Sequence, residues 1–223
     1  MQILLDVDDV ILQNVEHFFA LVEKEHGQKY DQDKFLNWGF HLTMTGMSRE
    51  KIGECLQEMN HSADFEYLKP LPKSIETIKK LKTEGHQISL VSSCLPNDMP
   101  HLTEAMRMRQ LKRLFGDDFF TEIHLIAMNP ATLHGHGNKQ EVLEQFSGDQ
   151  TIFLDDSPKN HQHGLDAGIP NSFLFTRFWN SLEDSSCRIN SWEEFHGKVQ
   201  DISAKNHAIA SSDREEVSAL NND

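Results

Sequence analysis

Only three cysteines occur in the 223 residues, Cys55, Cys94 and Cys187. Their spacing forms neither a disulfide framework nor a zinc-ligand pattern, which makes a reducing cytosol the natural compartment. Positive charge is also scarce. Against 35 Asp and Glu there are 21 Lys and Arg, a formal net charge of −14. That excess argues against a nucleic-acid backbone or an anionic membrane as the main partner. No apolar run approaches the ~20 residues of a membrane span. The first strand starts at residue 2, which leaves no room for a signal peptide. The expectation is a cytoplasmic protein, with signal-independent export left open.

What is present suits a soluble globular chain: 38% hydrophobic and 25% charged residues. The length allows one sizeable core and a small accessory module. Strand-like and helical segments alternate, which predicts an α/β fold, a Rossmann-like parallel sheet with helices on both faces. Ile3-Leu4-Leu5 opens as a strand. Ile11, Val15, Phe18, Phe19 and Val22 recur at helical spacing, and Gly27 suits the helix end. Ser48 caps a second helix with the stripe Ile52, Cys55, Leu56 and Met59. Further strands are expected at 88–91, 123–127, 151–154 and 172–175. Helices are expected at 75–85 and 100–114, after Lys139 and after Ser157-Pro158, with a last one opened by Ser191 and Glu194. Residues 13–68 interrupt the alternation and read as a helical insertion into a core of residues 1–12 and 69–201. The stretch 202–223, poor in apolar residues, is expected to be a flexible acidic tail.

Four strand or loop ends carry reactive groups. Asp6 and Asp8 end the first apolar run, and alternation along a strand puts them on one side. Paired carboxylates repel and lose solvation, and a divalent cation or a shared proton relieves them. Ser92-Ser93 closes the second strand, Lys139 opens a helix, and Asp155-Asp156 ends the fourth strand. Carboxylates at the carboxyl ends of strands mark an active site in an α/β sheet.

Taken in order, these segments resemble the haloacid dehalogenase (HAD) superfamily in its phosphatase branch. Asp6-Val7-Asp8-Asp9-Val10 is similar to the first family motif, D-x-D-x-(T/V). Val91-Ser92 is similar to the second, Lys139 to the third, and Phe153-Leu154-Asp155-Asp156 to the fourth. The resemblance covers residues 2 to about 175 and implies a small helical cap of the C1 type in the 13–68 insertion. It implies a Mg²⁺-dependent phosphatase that hydrolyses a small phosphate monoester through an aspartyl-phosphate, nucleotidase-like or sugar-phosphatase-like. Asp6 is then the nucleophile and Asp8 the general acid and base. Ser92 is the phosphate donor, with Ser93 competing for that role, and Lys139 binds the phosphoryl group and screens Asp6. The cation is held by the Asp6 carboxylate, the Asp8 backbone carbonyl and Asp156, with Asp155 close by or acting through water.

Bland readings compete at several positions. Asp9 alternates away from its neighbours and reads as a turn or cap residue. Lys112 and Lys159 are substitutes for Lys139 that fit less well. His134 and His136 read as loop, as do His161 and His163, because neither pair has partners at ligand spacing. Phe35, Trp38 and Phe40 line a substrate pocket or simply pack the insertion. Two other functions stay open: a catalytically silent HAD scaffold that binds a protein partner through the acidic tail, and a dehalogenase. Asp8 counts against the latter, which needs no second acid.

Overall fold

The last three residues of the first strand serve two different layers. Ile3 and Leu5 pack with Ile88, Leu90, Ile152 and Leu154 on one face of the sheet, whereas Leu4 packs with Val91 and Phe153 on the other. Both faces are covered, so the strands read as continuous apolar runs rather than as alternating ones.

The computed structural model describes residues 1–27, 47–94, 100–129, 134–135, 139–182 and 185–220. In chain order the elements are β1 (Gln2–Leu5), α1 (Asn14–His26), α2 (Arg49–His61), a 3₁₀ turn (Ala63–Tyr67), α3 (Ser74–Thr83), β2 (Gln87–Cys94), α4 (Pro100–Phe115) and β3 (Ile123–Asn129). There follow β4 (His134–Gly135), α5 (Lys139–Leu143), β5 (Thr151–Asp155), α6 (Pro158–Asp166), β6 (Asn171–Phe175), β7 (Arg188–Ile189) and α7 (Trp192–Leu220). Six parallel strands lie in the order β3-β2-β1-β5-β6-β7, and the two-residue β4 adds antiparallel to the β3 edge. Residues of α3, α4 and α7 cover the face that holds Ile3 and Leu5. Leu143 of α5, with Ala167 and Ile169 just past α6, covers the other.

This topology creates the crevice. The chain leaves β1 for β2 and β3, then returns to lay β5 against the other side of β1. At such a reversal the connections depart in opposite directions and leave a gap beyond the carboxyl ends of the strands. Leu5 is opposite Leu90 on one side and Leu154 on the other. The next residues outward, Asp6 and Asp155, are therefore level with each other.

Residues of the insertion build a separate apolar cluster. Phe18, Phe19 and Val22 of α1 meet Ile52, Cys55 and Met59 of α2, joined by Trp179 from the loop after β6. Gly27 ends α1 in the left-handed region (φ 66°), which a side chain would disfavour. The Ser48 hydroxyl caps α2 by accepting the Lys51 N–H at 3.2 Å. Tyr30, Phe35, Trp38 and Phe40 of the insertion lie outside the described residues, as does His136.

In the carboxyl-terminal stretch, where the sequence suggests a flexible acidic tail over 202–223, the backbone is helical to Leu220. Helix α7 buries Trp192, Phe195, Val199 and Ile202 against the sheet and continues without a break to Leu220. From Lys198 onward it contains neither Gly nor Pro, so nothing in the backbone stops it. Among the described residues no helix is long and apolar enough to cross a membrane.

Candidate active site

Asp6 follows β1 directly, and its N–H donates to the Leu154 carbonyl at 3.0 Å, which carries the ladder one step beyond the strand. Asp155 is the last residue of β5 and Asp156 the next. One oxygen of each of the three carboxylates lies within 4.8 Å of the others, and all three residues are buried. Among the described residues this is the one cluster of that kind, and the histidines of α6 are not part of it.

Lys139, at the start of α5, is the cation that faces them. Its Nζ donates to Asp155 Oδ2 at 2.7 Å and lies 3.2 Å from Asp6 Oδ1. The second approach is an ion-pair contact, and among the described residues the buried Asp6 Oδ1 has no hydrogen-bond partner. Burial opposes the charge on Lys139, but Asp155 and Asp6 outweigh it and raise its pKa above the ordinary lysine value. Lys112 and Lys159 lie elsewhere on the surface, and Lys112 pairs with Asp117.

Asp155 is braced on both oxygens. Oδ1 accepts the Ser157 N–H at 2.8 Å, and Asn160 Nδ2 lies 3.1 and 3.2 Å from the two oxygens. Asn160 reaches in because α6 sits very close to the sheet. A Cβ on Gly164, one turn further along, would meet Ser172 Oγ at 2.5 Å. Burial pushes the Asp155 carboxyl up to about 6, against the pull of Lys139. Asp156 rises well above the ordinary carboxylate range, through burial first and then through the charges of Asp155, Asp9 and Asp6. Trp179 Nε1 donates to its Oδ2 at 3.0 Å.

Asp8 has a different partner. Arg107 of α4 binds both its oxygens through Nη2, at 2.6 and 2.7 Å. The guanidinium is buried, donates from Nη1 to Gln110 Oε1 at 2.8 Å, and lies 4.6 Å over the Phe65 ring. Burial raises Asp8 above the usual carboxylate range, Arg107 pulls it back, and Asp6 adds to the rise. Asp8 thus stays within electrostatic reach of Asp6 while a helix from the opposite face holds it.

Ser92 and Ser93 lie near the carboxyl end of β2, beside β1, with Ser92 buried and Ser93 half-buried. Asp9 is a helix cap, as the sequence predicts. Its Oδ1 accepts the N–H groups of Asn14 and Val15 at 3.0 Å each, and its φ of 58° tightens the turn. Arg107, Asn160 and Trp179 are absent from the sequence-based candidates. Arg107 falls on a buried face of α4 with Thr103, Met106, Gln110 and Leu111, at helical spacing. Two of these four are polar, so the face does not stand out in the sequence as an apolar stripe, and a charge buried there needs a buried partner.

Among the described residues, three buried carboxylates face one ammonium, which leaves an uncompensated negative charge. All available donors are hard oxygens, and one of them is orphaned. This set fits a hard divalent cation such as Mg²⁺.

No protein-family model matches the sequence, and no curated protein does. Solved structures do match in fold. A predicted phosphatase from Clostridium acetobutylicum has a TM-score of 0.63 at 16% identity, over 90% of this chain and 98% of that one. A haloacid dehalogenase-like hydrolase from Streptococcus pneumoniae has a TM-score of 0.58 at 15% identity, over 88% and 97%. A Bacillus subtilis protein described as a HAD-hydrolase and solved with magnesium bound has a TM-score of 0.54 at 18% identity, over 89% and 97%. The chain has the fold of the HAD hydrolases.

Proposed function

We propose that this chain, built on the HAD fold, is a Mg²⁺-dependent phosphatase of that superfamily that cleaves a small phosphate monoester through an aspartyl-phosphate on Asp6. One observation carries the reading: Asp6 Oδ1 is buried, has no hydrogen-bond partner among the described residues and sits beside the Lys139 ammonium, at the carboxyl ends of adjacent parallel strands.

In the first step Asp6 attacks phosphorus, and the ester oxygen departs with a proton from Asp8. In the second, Asp8 takes a proton from water as that water displaces phosphate from Asp6. Such acid–base help is worth roughly 10²–10⁴-fold. Lys139 holds Asp6 in line and adds a positive charge against the phosphoryl oxygens. Ser92 donates a hydrogen bond to one of those oxygens, with Ser93 the alternative donor. Bound Mg²⁺ would neutralise charge spread over the phosphoryl group. Asp6, Asp156 and the Asp8 carbonyl would hold it. The four donor contacts to Asp155 support a bracing role for that residue over direct ligation.

The helices of the 13–68 insertion act as a cap that excludes water from the crevice, which suits a small substrate. Nucleoside monophosphates and sugar phosphates are the leading classes. The phosphatase description of a structural neighbour supports this chemistry. Release of inorganic phosphate from a metabolite panel, with and without Mg²⁺, tests it. Turnover should require the metal and be abolished by Asp6→Asn. Silence across the panel would favour the binding scaffold, and release of halide from a haloacid would favour the dehalogenase.

A further inference from the structure

Trp179 belongs to two regions at once. Its ring is about 1% exposed and packs in the apolar cluster with Phe18, Phe19, Val22, Ile52 and Met59 of the insertion. Phe178 meets it edge-on at 4.6 Å, and the Arg177 guanidinium lies 5.1 Å from the ring centre. Its indole N–H nevertheless points away from that cluster, to Asp156 Oδ2 at 3.0 Å. The following residue reinforces the contact. Asn180, also buried, donates from Nδ2 to the Asp156 carbonyl and to the Phe175 carbonyl, each at 2.8 Å. Asp156 is thus fixed at its backbone by Asn180 and at its side chain by Trp179.

We propose that Trp179 is a positioning residue for the divalent-cation site: it orients the Asp156 carboxylate and links that site to the apolar core of the insertion. The inference rests on the reading of Asp156 as a metal ligand and adds to it the group that aims the ligand. The chemistry of indole suits the task. Indole is a donor only, and it carries no charge at any physiological pH. It fixes one carboxylate oxygen without neutralising the carboxylate, so the negative charge remains for a cation. A lysine or arginine here would hold Asp156 equally well and cancel the charge the ion needs. Lys139 already does that for Asp6 and Asp155. Partners of this kind around a metal ligand typically govern affinity by 10–100-fold. The bland alternative is that Asp156 merely satisfies the N–H of a tryptophan buried for packing. Trp192 supplies the comparison. It is equally buried, and its N–H ends on the Val10 carbonyl at 3.0 Å, not on a carboxylate.

The test is calorimetric titration of Mg²⁺ alone into the full chain without substrate, for wild type, Trp179→Phe, Trp192→Phe and Asp156→Asn. Trp179→Phe should weaken the Mg²⁺ Kd by about 10–100-fold. Trp192→Phe should lower Tm yet leave that Kd unchanged. Should Trp179→Phe not fold, the wild-type protein gives the same answer. Of its three tryptophans, the one whose ¹⁵N-detected indole N–H resonance moves in Asp156→Asn is Trp179, and Mg²⁺ must shift that resonance. An unchanged Kd in Trp179→Phe, or a stationary resonance at saturating Mg²⁺, overturns the proposal even where wild type binds and Asp156→Asn does not. Failure of wild type to bind Mg²⁺ overturns the cation reading and the proposal with it.

Discussion

Asp6 and Asp8 are two residues apart, and the molecule treats them in opposite ways. On the Asp6 flank, among the described residues, one ammonium faces a group of three buried carboxylates, and one oxygen has no hydrogen-bond partner. On the Asp8 flank one guanidinium meets one carboxylate through two short bonds and is itself backed by Gln110 and Phe65. The first flank is electrically incomplete, whereas the second is balanced. Incompleteness is what a cation site needs before its ion arrives. Balance is what a group needs if its task is to sit in one place and move a proton.

Removing the cation from each flank should therefore have different consequences, and the largest belongs to Lys139. Lys139→Met leaves Asp6 and Asp155 facing each other with no counter-charge. Breaking a buried pair from one side costs about 3–5 kcal/mol, and for a chain of this size that is a drop in Tm of roughly 6–20 °C. Hydrolysis should fall below detection. Thermal denaturation of the metal-free protein measures the first effect. A loss under about 1 kcal/mol would mean that protonated Asp155 replaces the lysine without strain.

Arg107→Met should act on chemistry more than on folding, because the Asp8 side chain it releases keeps 21% of its exposure to solvent. Its effect should depend on the leaving group. An alkyl phosphate needs a proton from Asp8 as its ester bond breaks, so kcat/KM should fall by about 10²-fold or more. A p-nitrophenyl ester leaves without that proton and should lose far less. Equal losses on both substrates would show that Arg107 serves the fold or the phosphate and not the placement of Asp8.

The incomplete flank also predicts how stability depends on metal and pH. Burial raises Asp155 to about 6, above its unfolded value of 3.8, and raises Asp156 as well. Between those pH values the folded chain binds more protons than the unfolded chain, so the metal-free protein loses stability as pH rises through that window. Mg²⁺ should reverse the loss. At 100 times its Kd, a ligand specific for the folded state adds about 2.7 kcal/mol, roughly 5–10 °C of Tm here. The gain should be larger at pH 8 than at pH 5, because protons bound by the raised Asp155 and Asp156 carboxyls take away the negative charge that holds the ion. Scanning calorimetry with and without Mg²⁺ at pH 5 and pH 8 decides it. A gain that does not change with pH would place the ion away from these carboxylates.

The sequence makes the Asp6 flank legible and leaves the Asp8 flank dark, for a physical reason. Asp6, Ser92 and Asp155 lie on or beside strand ends, where an apolar run stops on a polar residue. That pattern is local and survives without a structure. The partner of Asp8 comes from a helix 99 positions away, and the half-polar face that carries Arg107 does not show in the sequence that it turns inward. Trp179 is harder still. An aromatic residue after a strand reads as packing, and nothing local reveals that its one polar atom reaches a carboxylate at the end of the neighbouring strand. The carboxyl-terminal helix is half legible: Ser191 and Glu194 mark its start, whereas Lys198 to Leu220 has few apolar residues to bury but also no residue that breaks a helix.

Asp9 sharpens the comparison, because it is a third carboxylate in the same turn and belongs to neither flank. Its Oδ1 caps α1 through two backbone N–H groups, and Arg177 Nη2 lies 3.9 Å away. Burial pushes its pKa well up, against the pull of Arg177. A neutral residue of the same shape should therefore serve as well. Asp9→Asn keeps the capping oxygen and a tolerance for positive φ. Its stability should stay within about 0.5 kcal/mol of wild type, since Asn caps as well as Asp, and kcat should not change. Asp9→Ala loses about 1 kcal/mol for the cap and a similar amount for the left-handed backbone, again with kcat intact. A large fall in kcat for Asp9→Asn would break the division, because a residue that only caps a helix has no proton to move.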